Sequence, residues 1–233
     1  MRARDGPPDG TTLLPVLTDA GLLDIAQLTD SAFPTGSYAH SLGLEWLCRQ
    51  PSFNLEGIVR VRLCEQLACV ELPIARGAHA ASTATQLLAL DRLMDVLTPV
   101  AELRAASRSM GRSFRRAAAK LRPGGITEKA EEHRVEHHPV VYGAVLRDWD
   151  LPLDAGLALY ALHAVRQQLS AAQRLGLIGQ TTLQELLHQL KGCALEAVAI
   201  SKTVSTEGAG AFGPWFDIAS AAHANLSSRL FLS

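Results

Sequence analysis

The stretch Leu183-Gln184-Glu185-Leu186-Leu187-His188-Gln189-Leu190-Lys191-Gly192-Cys193-Ala194-Leu195-Glu196-Ala197-Val198 decides the fold class. Thr182 precedes it, and its apolar residues recur at steps of three and four, the spacing that lines one face of a helix. Upstream, Leu153, Leu157, Tyr160, Ala164, Val165 and Leu169 form a second such stripe. Ile58, Val61, Leu63, Leu67 and Val70 form a third, opened by Asn54 as N-cap and expected to break or kink at Pro73. Thr98-Pro99 reads as an N-cap and N1 proline for a helix to about Leu121, which Pro123-Gly124-Gly125 stops. Thr127 is expected to cap a short charged helix through His133, and Trp215 to Leu226 to form the last helix. Strand alternation is absent. The expected fold is all-α, a single-domain bundle of about eight to ten helices.

Composition agrees. Hydrophobic residues make up 48% and charged residues 19% of the 233, enough for a core and too apolar for disorder. Aromatics are only 5%, so the core is expected to be aliphatic, built from the strongest helix formers. A net charge of −1 draws the chain toward neither nucleic acid nor an anionic membrane. No apolar run reaches the roughly 18 residues that span a bilayer. The four cysteines form no Cys-x-x-Cys pair, which reads as buried thiols in a reduced, cytoplasmic protein. Residues 1–12 are expected to be a disordered tail, 13–226 the helical domain, and 227–233 a partner-binding tail.

A second stretch, Asp30 to Glu45, gathers Pro34, Gly36 and Gly43 among Ser31, Ser37, Tyr38, His40 and Ser41. Pro34 and Gly36 read as a defined turn, with Ser37 placed to cap a helix beginning there. Tyr38, Ser41, Leu42 and Glu45 would then share one face. Near the other end, Arg229-Leu230-Phe231-Leu232-Ser233 joins a forked cation to three apolar side chains. Burying each of these would release roughly 1.5–3 kcal/mol. Either the tail docks on its own domain or a partner orders it.

Catalytic signals are weak. His133 and His137 stand four apart, a spacing that on a helix can chelate a transition metal, although the third ligand is missing. A helical metal-dependent hydrolase using that pair is one alternative reading, and a solvated charged helix is the other. Arg104, Arg108, Arg112 and Arg115 or Arg116 make a basic stripe, read as a solvated face or a surface for an acidic partner. Gly208-Ala209-Gly210-Ala211-Phe212-Gly213 lacks the Lys-Ser/Thr ending of a phosphate loop. The residues assign no catalytic group, metal or cofactor, and a binding protein follows.

Phe33-Pro34-Thr35-Gly36-Ser37-Tyr38-Ala39-His40-Ser41-Leu42-Gly43-Leu44-Glu45 resembles the opening signature of the urease accessory protein UreF family. His223 to Ser233 resembles that family's closing motif, and Ser107-Arg108, His137-His138-Pro139 and Ser170 to Arg174 fall between in the expected order. The resemblance spans about Leu22 to Ser233. It implies an all-α homodimer that is not an enzyme. Such a protein bridges UreD (also called UreH) and the GTPase UreG, and the assembly delivers nickel to apo-urease as a chaperone of metallocentre assembly. It also implies that Tyr38 and Arg229 lie at the UreD/UreH contact, with Ser37, His40, Ser41, Leu230, Phe231 and Ser233 around them, and that the partner orders the tail. A helical adaptor unrelated to urease remains the further alternative.

Overall fold

The computed structural model describes residues 17–211, 213–223, 226 and 228–232. The expected tail over residues 1–12, residues 13–16, Phe212, Ala224, Asn225, Ser227 and Ser233 lie outside the described residues. Every regular element among the described residues is helical. The order is α1 (Asp19–Leu28), α2 (Leu44–Leu47), α3 (Leu55–Val61), a π-helical stretch (Arg62–Glu71), α4 (Leu72–Ala80), α5 (Ala84–Leu97) and α6 (Ala101–Leu121). Then follow α7 (Ile126–Glu132), α8 (His138–Asp148), α9 (Leu153–Arg174), α10 (Gln180–Gln189), α11 (Lys191–Ser201) and α12 (Pro214–His223). Because α3, the π stretch and α4 run on without interruption, the twelve α segments make eleven separate rods, more than the eight to ten expected. The excess comes from stretches that read as one helix and are divided in the structure, such as 183–198, which spans α10 and α11.

At the centre lies α8, on which every residue from His138 to Leu146 is buried. A helix apolar all round belongs between other helices, and α4 and α6 flank it. Gly143 lets α8 approach α4 so closely that a Cβ there would overlap the Ala75 carbonyl, and Gly111 does the same against the Glu136 carbonyl. Four aromatics line up through the core. Phe33, Phe114, Tyr142 and Tyr160 stack with centroids 5.2, 5.5 and 4.8 Å apart, running from the opening motif through α6 and α8 to α9.

Several helix ends differ from the sequence reading. Pro73 breaks nothing: it lies in the first turn of α4, and the Cys69 carbonyl that its missing N–H would have bound accepts Gly210 N–H at 3.0 Å. Thr98 ends α5 and does not start α6, since Arg104 turns back to the Thr98 and Pro99 carbonyls at 2.7 and 2.6 Å. Between α4 and α5 the chain leaves the helix at Ala81–Thr83, where Thr83 and Gln86 form a capping box. Thr127 lies inside α7, whose start is capped from α8: Ile126 and Thr127 N–H donate to the Asp148 carboxylate at 3.1 and 2.8 Å. The stripe of 183–198 belongs to two helices, separated at Leu190. All four cysteines are free thiols, with Cys193 buried and the other three half-buried.

Candidate functional site where the opening motif meets the closing segment

After α1 the chain turns on Asp30, whose side chain accepts from Ala32 N–H at 2.6 Å, and drops Phe33 into the aromatic row. Gly36 takes φ +78°, and Ser37 opens a single 3₁₀ turn through Ala39. This corrects the expected helix start. Ser37 caps no α-helix, because Leu42 at φ +53° and Gly43 at φ +85° hold the backbone out of helical shape until Leu44. Tyr38, Ser41, Leu42 and Glu45 therefore share no helical face.

Two glutamines of α9 hold the turn by its carbonyls. Gln167 Nε2 donates to Ser37 O at 3.1 Å, and Gln168 Nε2 to Ser41 O at 3.3 Å. Ser37, His40 and Ser41 are buried, whereas Tyr38 is 69% exposed. Asp30, Ser31 and Pro34 are exposed as well, but Tyr38 is the large side chain of the stretch that faces solvent broadly.

The closing segment lies against this turn. Glu45, buried, accepts Leu230 N–H at 2.9 Å and Phe231 N–H at 3.2 Å, and its Oε2 lies 3.1 Å from buried His223 Nε2. Leu232 N–H donates to Ala39 O at 2.9 Å. His223 Nδ1 stands 3.6 Å from Glu102, which also pairs with Arg229 at 3.5 Å. Burial pushes the Glu45 carboxyl up, but Leu230 N–H, the His223 side chain and Phe231 N–H together outweigh it and hold the group below its usual range. Phe231 is buried, while Leu230 and Leu232 are 60% and 70% exposed. The Arg174 guanidinium sits 3.6 Å from the Tyr38 ring centroid and 4.2 Å from that of Phe231. The segment is thus seated on its own chain, where the resemblance implied ordering by a partner.

The structure thus gathers Ser37, Tyr38, His40, Ser41, Arg229, Leu230 and Phe231 into one region; Ser233 lies outside the described residues. Sequence reading missed Glu45 as the anchor, and it assigned no role to Arg174, Gln167, Gln168 or His223. A single acid between Leu44 and Leu47 was the available signal. A buried carboxylate in an apolar run asks for donors.

The other candidates resolve differently. His133 and His137 do not share a helix: α7 ends at Glu132, and Arg134 at φ +55° reverses the chain between them. His133 is exposed, while His137 is buried with Nδ1 3.0 Å from Ser107 Oγ and Nε2 3.0 Å from Asp95. Among the described residues no three His, Cys, Asp or Glu side chains are grouped to hold a metal ion. The arginine stripe is no solvated face either. Arg108 binds Asp95, Arg112 binds Glu136 at 2.9 Å, and buried Arg115 donates to the Val135 carbonyl. Beneath the motif, a cavity of about 320 Å³ is lined by Arg62, Glu71, His138 and Tyr160 among others. There Tyr160 donates to Glu71 at 2.8 Å. Burial holds His138 down at about 3 and the Tyr160 hydroxyl well above its usual range, so neither changes protonation near neutral pH.

A family model described as UreF matches residues 53–191. A urease accessory protein UreF of Kocuria rhizophila is 31% identical over 228 residues, covering 92% of this chain and 97% of that protein. The UreF of a Marinomonas strain is 29% identical over 97% of this chain and 100% of its own length. Urease accessory protein F of Oryza sativa is 29% identical over 88% of this chain and 82% of its own.

Proposed function

The chain belongs to the UreF family of urease accessory proteins, and on that premise we propose that it is a non-catalytic scaffold in the complex that matures urease. In this reading it acts as a cytoplasmic homodimer that bridges UreD/UreH and the GTPase UreG. It holds UreG where nickel passes toward apo-urease and regulates its GTP hydrolysis. The observation that carries the reading is the surface made by Tyr38, Leu230 and Leu232. Large apolar side chains stand exposed there on a frame fixed by Glu45, His223 and Arg174. Frames of that kind with apolar tops are what binding hot spots use, since the receptor loses little entropy in ordering them. Arg229, half-exposed at its side chain beside Glu102, adds a forked cation at the rim. Ser37, His40 and Ser41 support the turn from within, and Phe231 anchors the segment.

Co-purification with UreD/UreH tests the assignment. Tyr38→Ala and the paired change Leu230→Asp with Leu232→Asp are expected to abolish capture. Removal of residues 228–233 is expected to do the same with the helical circular-dichroism signal intact. Undiminished capture by all three variants overturns the assignment of this surface.

A further inference from the structure

The C-terminal end of α9 delivers Arg174 between two rings from opposite ends of the sequence. Its guanidinium lies 3.6 Å from the Tyr38 centroid and 4.2 Å from the Phe231 centroid. A guanidinium is a plane that can meet an aromatic ring on each side, and each contact strengthens as water is excluded. Water is excluded on one side, because Phe231 is buried, whereas Tyr38 keeps much of its surface in solvent. Among the described residues no carboxylate pairs with Arg174, and its Nε reaches only the Ser170 carbonyl, at 3.4 Å. The charge is therefore given to the rings.

Across the segment stands Glu45, which binds Leu230 and Phe231 by their N–H groups. Residues 228–232 form no helix or strand of their own, so they hold their place through such contacts alone. Glu45 reads only backbone and would accept the segment shifted along its length. The Phe231 ring on Arg174, with Arg229 paired to Glu102 at 3.5 Å beside it, fixes the register.

We propose that Arg174 is the positioning residue of this surface, a clasp that seats the closing segment by Phe231 and fixes Tyr38 beside Leu230 and Leu232. That the clasped surface then meets UreD/UreH rests on the function proposed above; the clasp itself belongs to the isolated chain. Arg174→Ala removes cation and plane, and Arg174→Lys keeps the charge but cannot stack between two rings.

Hydrogen exchange on the purified full chain, read at the Leu230, Phe231 and Leu232 amides, tests the clasp without any partner. In both variants these amides are expected to exchange about tenfold faster or more, with protection in α6 and α8 unchanged. Unchanged protection of the three amides in both variants overturns the proposal, as does a loss of protection that the lysine fully restores. Failure of the functional reading looks different: the amides are freed by Arg174→Ala, yet Tyr38→Ala still captures UreD/UreH.

Discussion

Glu45 is a buried carboxylate whose nearest arginine nitrogen, on Arg49, is 3.9 Å away. Two backbone N–H groups and an imidazole meet its charge instead. Its carboxyl titrates lower in the folded chain than its ordinary value of 4.5, so its contribution to stability is full above that pH. It is lost as pH falls through the lower, folded value. Glu45→Gln is therefore expected to cost ~1–3 kcal/mol at pH 7. That cost should shrink as the pH is taken below 4.5, which urea unfolding of both proteins across this range would reveal. At this scale the sequence was readable in part. Gly36 needed its positive φ, and Asn54 caps α3 by accepting Gly57 N–H at 3.1 Å. Ser37 misled because its neighbours Pro34 and Gly36 announce a turn but not its length. The helix is postponed by Leu42, a non-glycine residue held at φ +53°.

Among the elements, close approach matters more than propensity. α8 touches α4 at Gly143 with no room for a methyl group, and the obstacle is the Ala75 backbone, which cannot turn aside as a side chain would. Gly143→Ala, which helix propensity alone would favour, is expected to destabilise the protein by about 2–3 kcal/mol. Thermal or urea unfolding measures it, and a neutral result would mean that α4 and α8 can separate at small cost. Apolar periodicity identified the helices because burial sets it. It misjudged where they end, since the ends depend on distant partners: Asp148 caps α7, and Gly210 takes the carbonyl freed by Pro73. The arginine stripe shows the same limit. Its spacing was correct, but its targets Asp95, Glu131 and Glu136 come from α5, α7 and the connection before α8.

Over the whole molecule, four histidines are held neutral by burial. His40, His79, His138 and His163 are all lowered from 6.5, His138 to about 3. Unfolding lets them take up protons, so their contribution is intact above 6.5 and declines as pH falls toward 3. The urea midpoint is expected to drop between pH 7.5 and 5, and His138→Phe is expected to flatten that slope. A midpoint that does not change over this range would count against their burial. The all-α class was legible from composition because alanine and leucine dominate a chain poor in β-branched runs. The meeting of the 30–45 stretch with residues 228–232 was not. No local pattern encodes a contact between Glu45 and Leu230, 185 positions apart.

That separation bears on when the surface comes into being. A ribosome makes Glu45, Tyr38 and Arg174 well before residues 228–232, so the N–H groups of Leu230 and Phe231 and the ring of Phe231 reach their partners only later. A chain stopped before residue 230 lacks Leu230, Phe231 and Leu232, the three residues that Glu45, Arg174 and Ala39 hold. In the function proposed above, a partner that recognises the clasped surface passes over any chain that stops short of residues 228–232.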